Sequence, residues 1–313
     1  MNTSTALALP ANLQTAVREA VAASTADNTE RAYRSDAAVF VAFTENQGLC
    51  PMPAAPATVA AFLAAEAEAG KAVATIRRRA ASIAAWHRRQ GHPNPCADEL
   101  VRATLRGLAR TRGTDQRQAA AITHTDAAVI RSRMGDSLKD CRDLALMLVG
   151  RDLLARSSEL VNLEVGAVEF ETEGASVALR RIKTSTEAKA YWIGPEAAEA
   201  LRVWLTRANI TVGTIFRSLT KAGRVTERVL DTRDVRRILK SRAVAARLKH
   251  GAKVSGHSLR VGMAQDLAGA NTDLAGIMQA GSWKSVAMVA RYTERVAARR
   301  GAVARFYANR QGI

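Results

Sequence analysis

The spacing of apolar positions changes character twice along this chain. From about residue 26 to 112 it is helical. In TERAYRSDAAVFVAFTENQG, Tyr33, Ala37, Phe40 and Val41 fall on one face, and Thr29 is placed to cap the start. Gly48 and the run PMPAAP break the chain, and a second helix is expected over 57–69, closed by Gly70. AVATIRRRAASIAAWHRRQG predicts a third, burying Ile76, Ala80, Ile83 and either Ala84 or His87. A fourth is expected over 97–111. Beyond the polar segment 113–123, helices are predicted over 124–134 and 139–152, the latter with Leu144, Met147, Leu148 and Val149 inward. LLARSSELVNLEV opens another, which Ser157 or Ser158 can cap.

Between Val165 and Ile193 the period falls to two. AVEFE, SVALRRI and AYWI alternate and are separated by turn-forming stretches, so a small three-stranded antiparallel sheet is expected. Helical spacing returns over 195–208, with Pro195 in its first turn. IFRSLTKAGRV reads as a loop or short hairpin. TRDVRRILKSRAVAARL then turns Val235, Ile238 and Leu239 inward and Arg233, Arg236, Arg237, Lys240 and Arg242 outward. The expected fold is mainly α: a helical N-terminal domain, then an α-rich domain carrying a small antiparallel β-sheet. The boundaries follow as an arm over 1–25, a helical domain over 26–112, a linker over 113–123 and a second domain over 124–313.

Length and composition agree with two folded domains. At 313 residues and 48% hydrophobic content the chain can bury sizeable cores, and its low aromatic content of 4% with abundant alanine favours helices. The net charge of +17 changes the picture, because it calls for a polyanionic partner. No apolar run approaches the roughly 20 residues of a membrane span, so nucleic acid is the expected partner. Before Thr123 there are 14 basic and 10 acidic residues, and from Thr123 onward 32 and 19, so both halves are basic. Arg102, Arg106 and Arg110 recur at four-residue spacing, hence on one stripe. Arg77, Arg78, Arg79, Arg88, Arg102, Arg106, Arg236, Arg237 and Lys240 are the expected DNA contacts, most of them to phosphates. Cys50, Cys96 and Cys141 are scattered, as are the five histidines. They suggest ordinary thiols in a reducing cytoplasm and no metal site.

The chemistry concentrates in SGHSLRVGMAQDLAGANTDLAGIMQAGSWKSVAMVARYTER. His257 and Arg260 stand three apart at a helix start, Trp283 follows a glycine-punctuated helix end, and Tyr292 lies on the next helix. A phenol, with a pKa of about 10, becomes a useful nucleophile only where basic groups orient a phosphate and stabilise developing charge. Upstream, Arg156 and Glu159 form a pair at helical spacing, which on its own is common on protein surfaces.

HSLR, IMQAGSWKSV and the tyrosine of ARYTE, in that order, resemble the carboxy-terminal signature of the tyrosine recombinases, the phage integrase family. The resemblance is strong over about 140–295. It implies that Arg156 and Arg260 clamp the scissile phosphate, that His257 and Trp283 donate hydrogen bonds to it, that Glu159 orients its neighbours, and that Tyr292 attacks. Lys183, in RRIKTS at a strand end, matches the family's general acid, with Lys189 across the turn as rival. The family often has histidine where Trp283 stands. The helical N-terminal part resembles the family's core-binding domain. Also implied are cleavage and rejoining of double-stranded DNA at a specific site without metal, nucleotide or other cofactor, and a homo-tetramer on two paired sites. The last helix, VAARRGAVARFYANRQ, would dock into a neighbouring protomer or pack on its own domain. A topoisomerase IB-like or telomere-resolving enzyme shares this chemistry, and a non-catalytic DNA-binding regulator would share the fold.

Overall fold

The computed structural model describes residues 10–23, 25–114, 118–181, 187–300 and 306–307. The chain divides into two compact units, Met1–Arg117 and Gln118–Ile313. Unit one is helical: α1 (Ala11–Ala23), α2 (Asp27–Asn46), α3 (Pro56–Glu68), α4 (Val73–Arg89) and α5 (Glu99–Arg112). Its core joins Phe40, Phe62, Leu63, Ile76, Ile83 and Val101, with the Phe40 and Phe62 rings edge-on at 5.1 Å. Gly48, Gly70 and Gly91 adopt positive φ just beyond helix ends, where a left-handed residue is least costly as glycine. Helix α2 begins at Asp27 with Ala26 as N-cap, so Thr29 lies inside its first turn and does not cap it. His87 is fully buried as a structural link: its Nε2 accepts from the Ala54 N–H and its Nδ1 faces the Ile83 carbonyl, each at 2.9 Å.

Unit two begins at Gln118, and Ile122 is fully buried in its core with its N–H bonded to the Ser258 carbonyl at 3.0 Å. Helices α6 (His124–Ser132) and α7 (Leu138–Asp152) lead to the one-turn helix α8 (Ser157–Val161). Capping boxes at Thr123/Asp126 and Ser137/Asp140 start the first two, each supplying acceptors to otherwise orphaned N–H groups. Strands β1 (Val168–Glu171), β2 (Gly174–Arg180) and β3 (Ala188–Ile193) then form an antiparallel sheet in that order. Helix α9 (Pro195–Ala208) follows and packs on α7, with Trp204 fully buried and its indole N–H bonded to the Ile215 carbonyl at 3.0 Å. The stretch read as a loop or hairpin is a hairpin of β4 (Arg217–Leu219) and β5 (Val225–Val229). Helices α10 (Thr232–Ala245), α11 (Ser258–Gly269), α12 (Leu274–Gly281) and α13 (Val286–Arg300) complete the unit.

Near-continuous burial of α7 makes it the central element of unit two: nine consecutive positions from Ala145 to Leu153 include eight that are buried outright or by their neighbours' contacts, among them Leu146, Met147 and Val149. Helix α11 crosses its end and approaches the Ile122 strand of chain so closely that a Cβ on Gly262 would lie 1.8 Å from the Ile122 carbonyl oxygen. Gly262→Ala should therefore lower unit-two stability by about 1–3 kcal/mol or more through forced backbone movement. Gly269→Ala, on the same helix with open space around it, should stay within about 0.5 kcal/mol of the native protein. Equilibrium denaturation of the two variants checks this, and equal stabilities would refute the packing.

Candidate active site

Two helix ends build the site. Helix α7 terminates with Leu154 in the left-handed region (φ 45°) and α12 terminates with Ser282 there (φ 48°). At each end the same pair of backbone bonds closes the helix: Leu154 N–H to Arg151 O and Ala155 N–H to Gly150 O, then Ser282 N–H to Gln279 O and Trp283 N–H to Met278 O. These Schellman closures satisfy the carbonyls one turn back and leave the last ones pointing out. The sequence predicts a glycine-punctuated helix end before Trp283. The left-handed residue is Ser282 instead, and Gly281 is small because a Cβ there would meet the Trp283 ring at 2.1 Å.

The exposed carbonyls are taken by two buried guanidinium groups. Arg260, on α11 and 2% exposed, donates from Nη1 to Leu154 O and from Nη2 to Gly281 O. Arg181, just past β2 and also 2% exposed, donates from Nη1 to Gly281 O and from Nη2 to Leu153 O, both at 2.6 Å, and to Ala280 O at 3.2 Å. Sequence reasoning missed Arg181. The signal was present: Ala175, Val177 and Leu179 are the inward positions of β2, and the same alternation carries residue 181 inward.

The remaining groups gather around this pair. Arg156 is the N-cap residue of α8, a place expected for Ser157 or Ser158. Its N–H donates to Glu159 Oε2 at 2.8 Å and its Nη1 to Glu159 Oε1 at 2.5 Å, so the carboxylate both caps the helix and orients the guanidinium. Trp283 is buried, and Arg260 lies over its ring at 4.2 Å from the centroid. The Tyr292 ring on α13 is 5.5 Å from that of Trp283, and its backbone carbonyl accepts from Gln265 Nε2 at 3.2 Å. His257 is exposed at the start of α11, one turn before Arg260. Thus Arg156, Glu159, Arg260, Trp283 and Tyr292 are brought together, with His257 at the rim. Lys183 lies outside the described residues. Lys189 sits on β3 opposite Leu179 and is exposed.

The electrostatics of the cluster favour a negative charge. Burial pushes Arg260 down to about 10, and the neighbouring Arg156 and Arg181 guanidiniums push the same way, opposed by Glu159 and Tyr292. Arg181 is lowered as well, first by burial and then by Arg156, against Glu159 and Tyr191. Three cations share one carboxylate, so a bound phosphate would relieve repulsion as well as add hydrogen bonds. Among the described residues no His, Cys, Asp and Glu cluster could hold a metal ion.

The basic residues expected on DNA-facing surfaces divide. Arg77, Arg88, Arg102, Arg106, Arg236, Arg237 and Lys240 are exposed, Arg106 paired with Glu99 and Arg237 with Asp234. Arg78 is also exposed and is bound to the buried Asp36 at 2.5 Å. Arg79, expected with them, is instead buried against Glu66 and Asp36, because α3 and α2 bring carboxylates to its face of α4. Arg242 is likewise drawn inward, to Asp140 and Asp143 of α7. Among the described residues no helix is long and apolar enough to cross a membrane.

The sequence pattern of the phage integrase family matches residues 114–299. An integrase/recombinase XerD homolog of Selenomonas ruminantium is 31% identical over 283 residues, covering 87% of this chain and 82% of that protein. The chain belongs to the phage integrase family. As a family member it is an enzyme of the tyrosine recombinase type. Recombinase Cre of Escherichia phage P1 is 28% identical, covering 81% of this chain and 80% of Cre. The Tn1549 transposon integrase, solved in complex with transposon right end DNA, shares the fold at a TM-score of 0.64 and 14% identity, covering 91% of this chain and 97% of that one.

The depressed pKa of Arg260 makes a lysine there a useful probe of this recombinase. A lysine there would meet the same burial and the same neighbouring guanidiniums, which push its value below the ordinary 10.4 or so. Its protonated form is the one that holds an anion, so binding is present below that pKa and lost above it. Sulfate, compared with chloride at matched ionic strength, should raise the melting temperature of native protein at both pH 7 and pH 9. In Arg260→Lys the excess should be smaller at pH 9 than at pH 7, the remainder at pH 9 being the general stabilisation by sulfate. An unchanged excess at pH 9 would contradict the assignment.

Proposed function

We propose that this recombinase cleaves and rejoins double-stranded DNA at a specific site through a covalent bond to Tyr292. The observation that carries the reading is the packing of Tyr292 against Trp283 and of Arg260 over the Trp283 ring, with Arg156 and Glu159 alongside. A phenol oxygen is thereby held beside a cluster of guanidiniums that lacks a matching number of carboxylates.

In the proposed step a scissile phosphate enters over Arg156 and Arg260. Two of the five N–H donors of Arg260 serve backbone carbonyls, which leaves others for the non-bridging oxygens. The Tyr292 oxygen attacks phosphorus as its proton passes to a base, a task His257 at the rim can share. The bond from phosphorus to the 5′ oxygen breaks, giving a 3′-phosphotyrosyl link, and Lys183 supplies the proton for the departing hydroxyl. Trp283 packs both partners in place and offers an indole N–H donor. Attack by a 5′ hydroxyl from a second duplex reverses the chemistry and exchanges strands. The phosphodiester energy is conserved throughout, so no nucleotide or metal enters the scheme. Exchange needs two sites and two cleavages on each, which supports a tetramer on paired DNA, with the helical first unit and the exposed arginines holding the duplex.

Mixing protein with DNA carrying its cognate site and denaturing in SDS should leave a covalent protein–DNA adduct. Tyr292→Phe should leave none. Arg260→Ala should also abolish the adduct while weakening DNA binding by only about tenfold or less, because many phosphate contacts remain. Adduct formation by Tyr292→Phe would overturn the proposal. Recombined product from paired sites distinguishes exchange from simple relaxation of supercoils.

A further inference from the structure

We infer that Arg181 and Tyr191, both carried by the β2–β3 hairpin, are positioning residues for the cleavage step: they fix the Gly281–Ser282–Trp283 turn that sets Arg260 and Tyr292. The inference rests on the reading above and adds to it residues with no role in the phosphate contacts proposed there.

Three observations converge on this turn. The Gly281 carbonyl accepts from both Arg181 and Arg260, one guanidinium for each lone pair, so the first arginine fixes the acceptor that aligns the second. Next, the Arg181 guanidinium lies 4.3 Å from the centroid of the Tyr191 ring, and the Tyr191 hydroxyl is 2.6 Å from the Ser282 Oγ. The residue held by that hydroxyl is the left-handed one, in a conformation that persists only where surroundings enforce it. Finally, packing alone does not enforce it. A cavity of about 560 Å³ borders Arg181, Tyr191, Ser282 and Trp283, so on that side the turn has room to relax. The two hairpin side chains are the bonds that span the gap.

The consequence is a link between the hairpin and the nucleophile. Trp283 follows Ser282 directly, and its ring contacts both Arg260 and Tyr292. A shift of the turn displaces both. Lys183, the proposed acid, follows Arg181 by two residues in the sequence.

The test is single-turnover cleavage of a nicked suicide substrate bearing the cognate site, with DNA affinity measured separately. Arg181→Met should slow cleavage at saturating DNA by about 100-fold, as misplacement of reacting groups does, with affinity within about threefold. Tyr191→Phe, which deletes one hydroxyl, should slow it by about fivefold at an unchanged melting temperature. The double variant should be no slower than Arg181→Met, because both act on one turn. Arg181→Met cleaving at the native rate would overturn the inference. If that variant does not fold, Tyr191→Phe decides, and a native rate for it has the same force. Should the native protein itself fail to cleave, the proposed function falls instead, and the turn is read by 19F NMR of 5-fluorotryptophan protein. Tyr191→Phe should then move the Trp283 resonance, assigned with Trp283→Phe, and leave those of Trp86 and Trp204 in place. An unmoved Trp283 resonance would refute the positioning role.

Discussion

Two guanidinium groups buried against the carboxyl ends of two helices are what the rest of unit two depends on. Arg181 and Arg260 are each 2% exposed, yet they donate to backbone carbonyls at Leu153, Leu154, Ala280 and Gly281. A helix terminus carries roughly half a negative charge on its unsatisfied carbonyls. Two such termini meeting at one place can hold cations that a single carboxylate, Glu159, could not balance. Because helix ends neutralise only in part, the cluster stays electropositive. That residual field is what a phosphate diester would feel on arrival.

The arrangement also explains local choices in the sequence. Gly281 is required by the Trp283 ring, Gly262 by the chain at Ile122, and the left-handed Leu154 and Ser282 by the closures that release carbonyls for the arginines. Glu159 serves twice, capping α8 through the Arg156 N–H and pairing with the Arg156 side chain. In unit one the same economy appears in His87, which uses both ring nitrogens to tie a loop to α4.

Most of the helices, and the small sheet, were legible in the chain because apolar spacing records burial directly. The site was legible in part, since His257, Arg260, Trp283 and Tyr292 stand in a recognisable order. What escaped did so for physical reasons. A charged residue at an alternating strand position reads as solvent-facing unless its acceptors are known, and the acceptors of Arg181 come from residues about 28 and 100 positions away. Arg79 and Arg242 were read outward because helical spacing gives a face but not what packs on it; Glu66, Asp140 and Asp143 come from other helices. Ser282 carries no composition signal for a left-handed helix end, and the adjacent glycine drew the role to itself.

In the proposed reaction Tyr292 is the group that becomes bonded to phosphorus. Peptide mass spectrometry of the trapped protein–DNA complex, after nuclease and protease digestion, tests it most directly. The expected result is a nucleotide joined through its 3′ phosphate to the peptide containing Tyr292 and to no other. A nucleotide found on Tyr33, Tyr191, Tyr307 or a serine would contradict it.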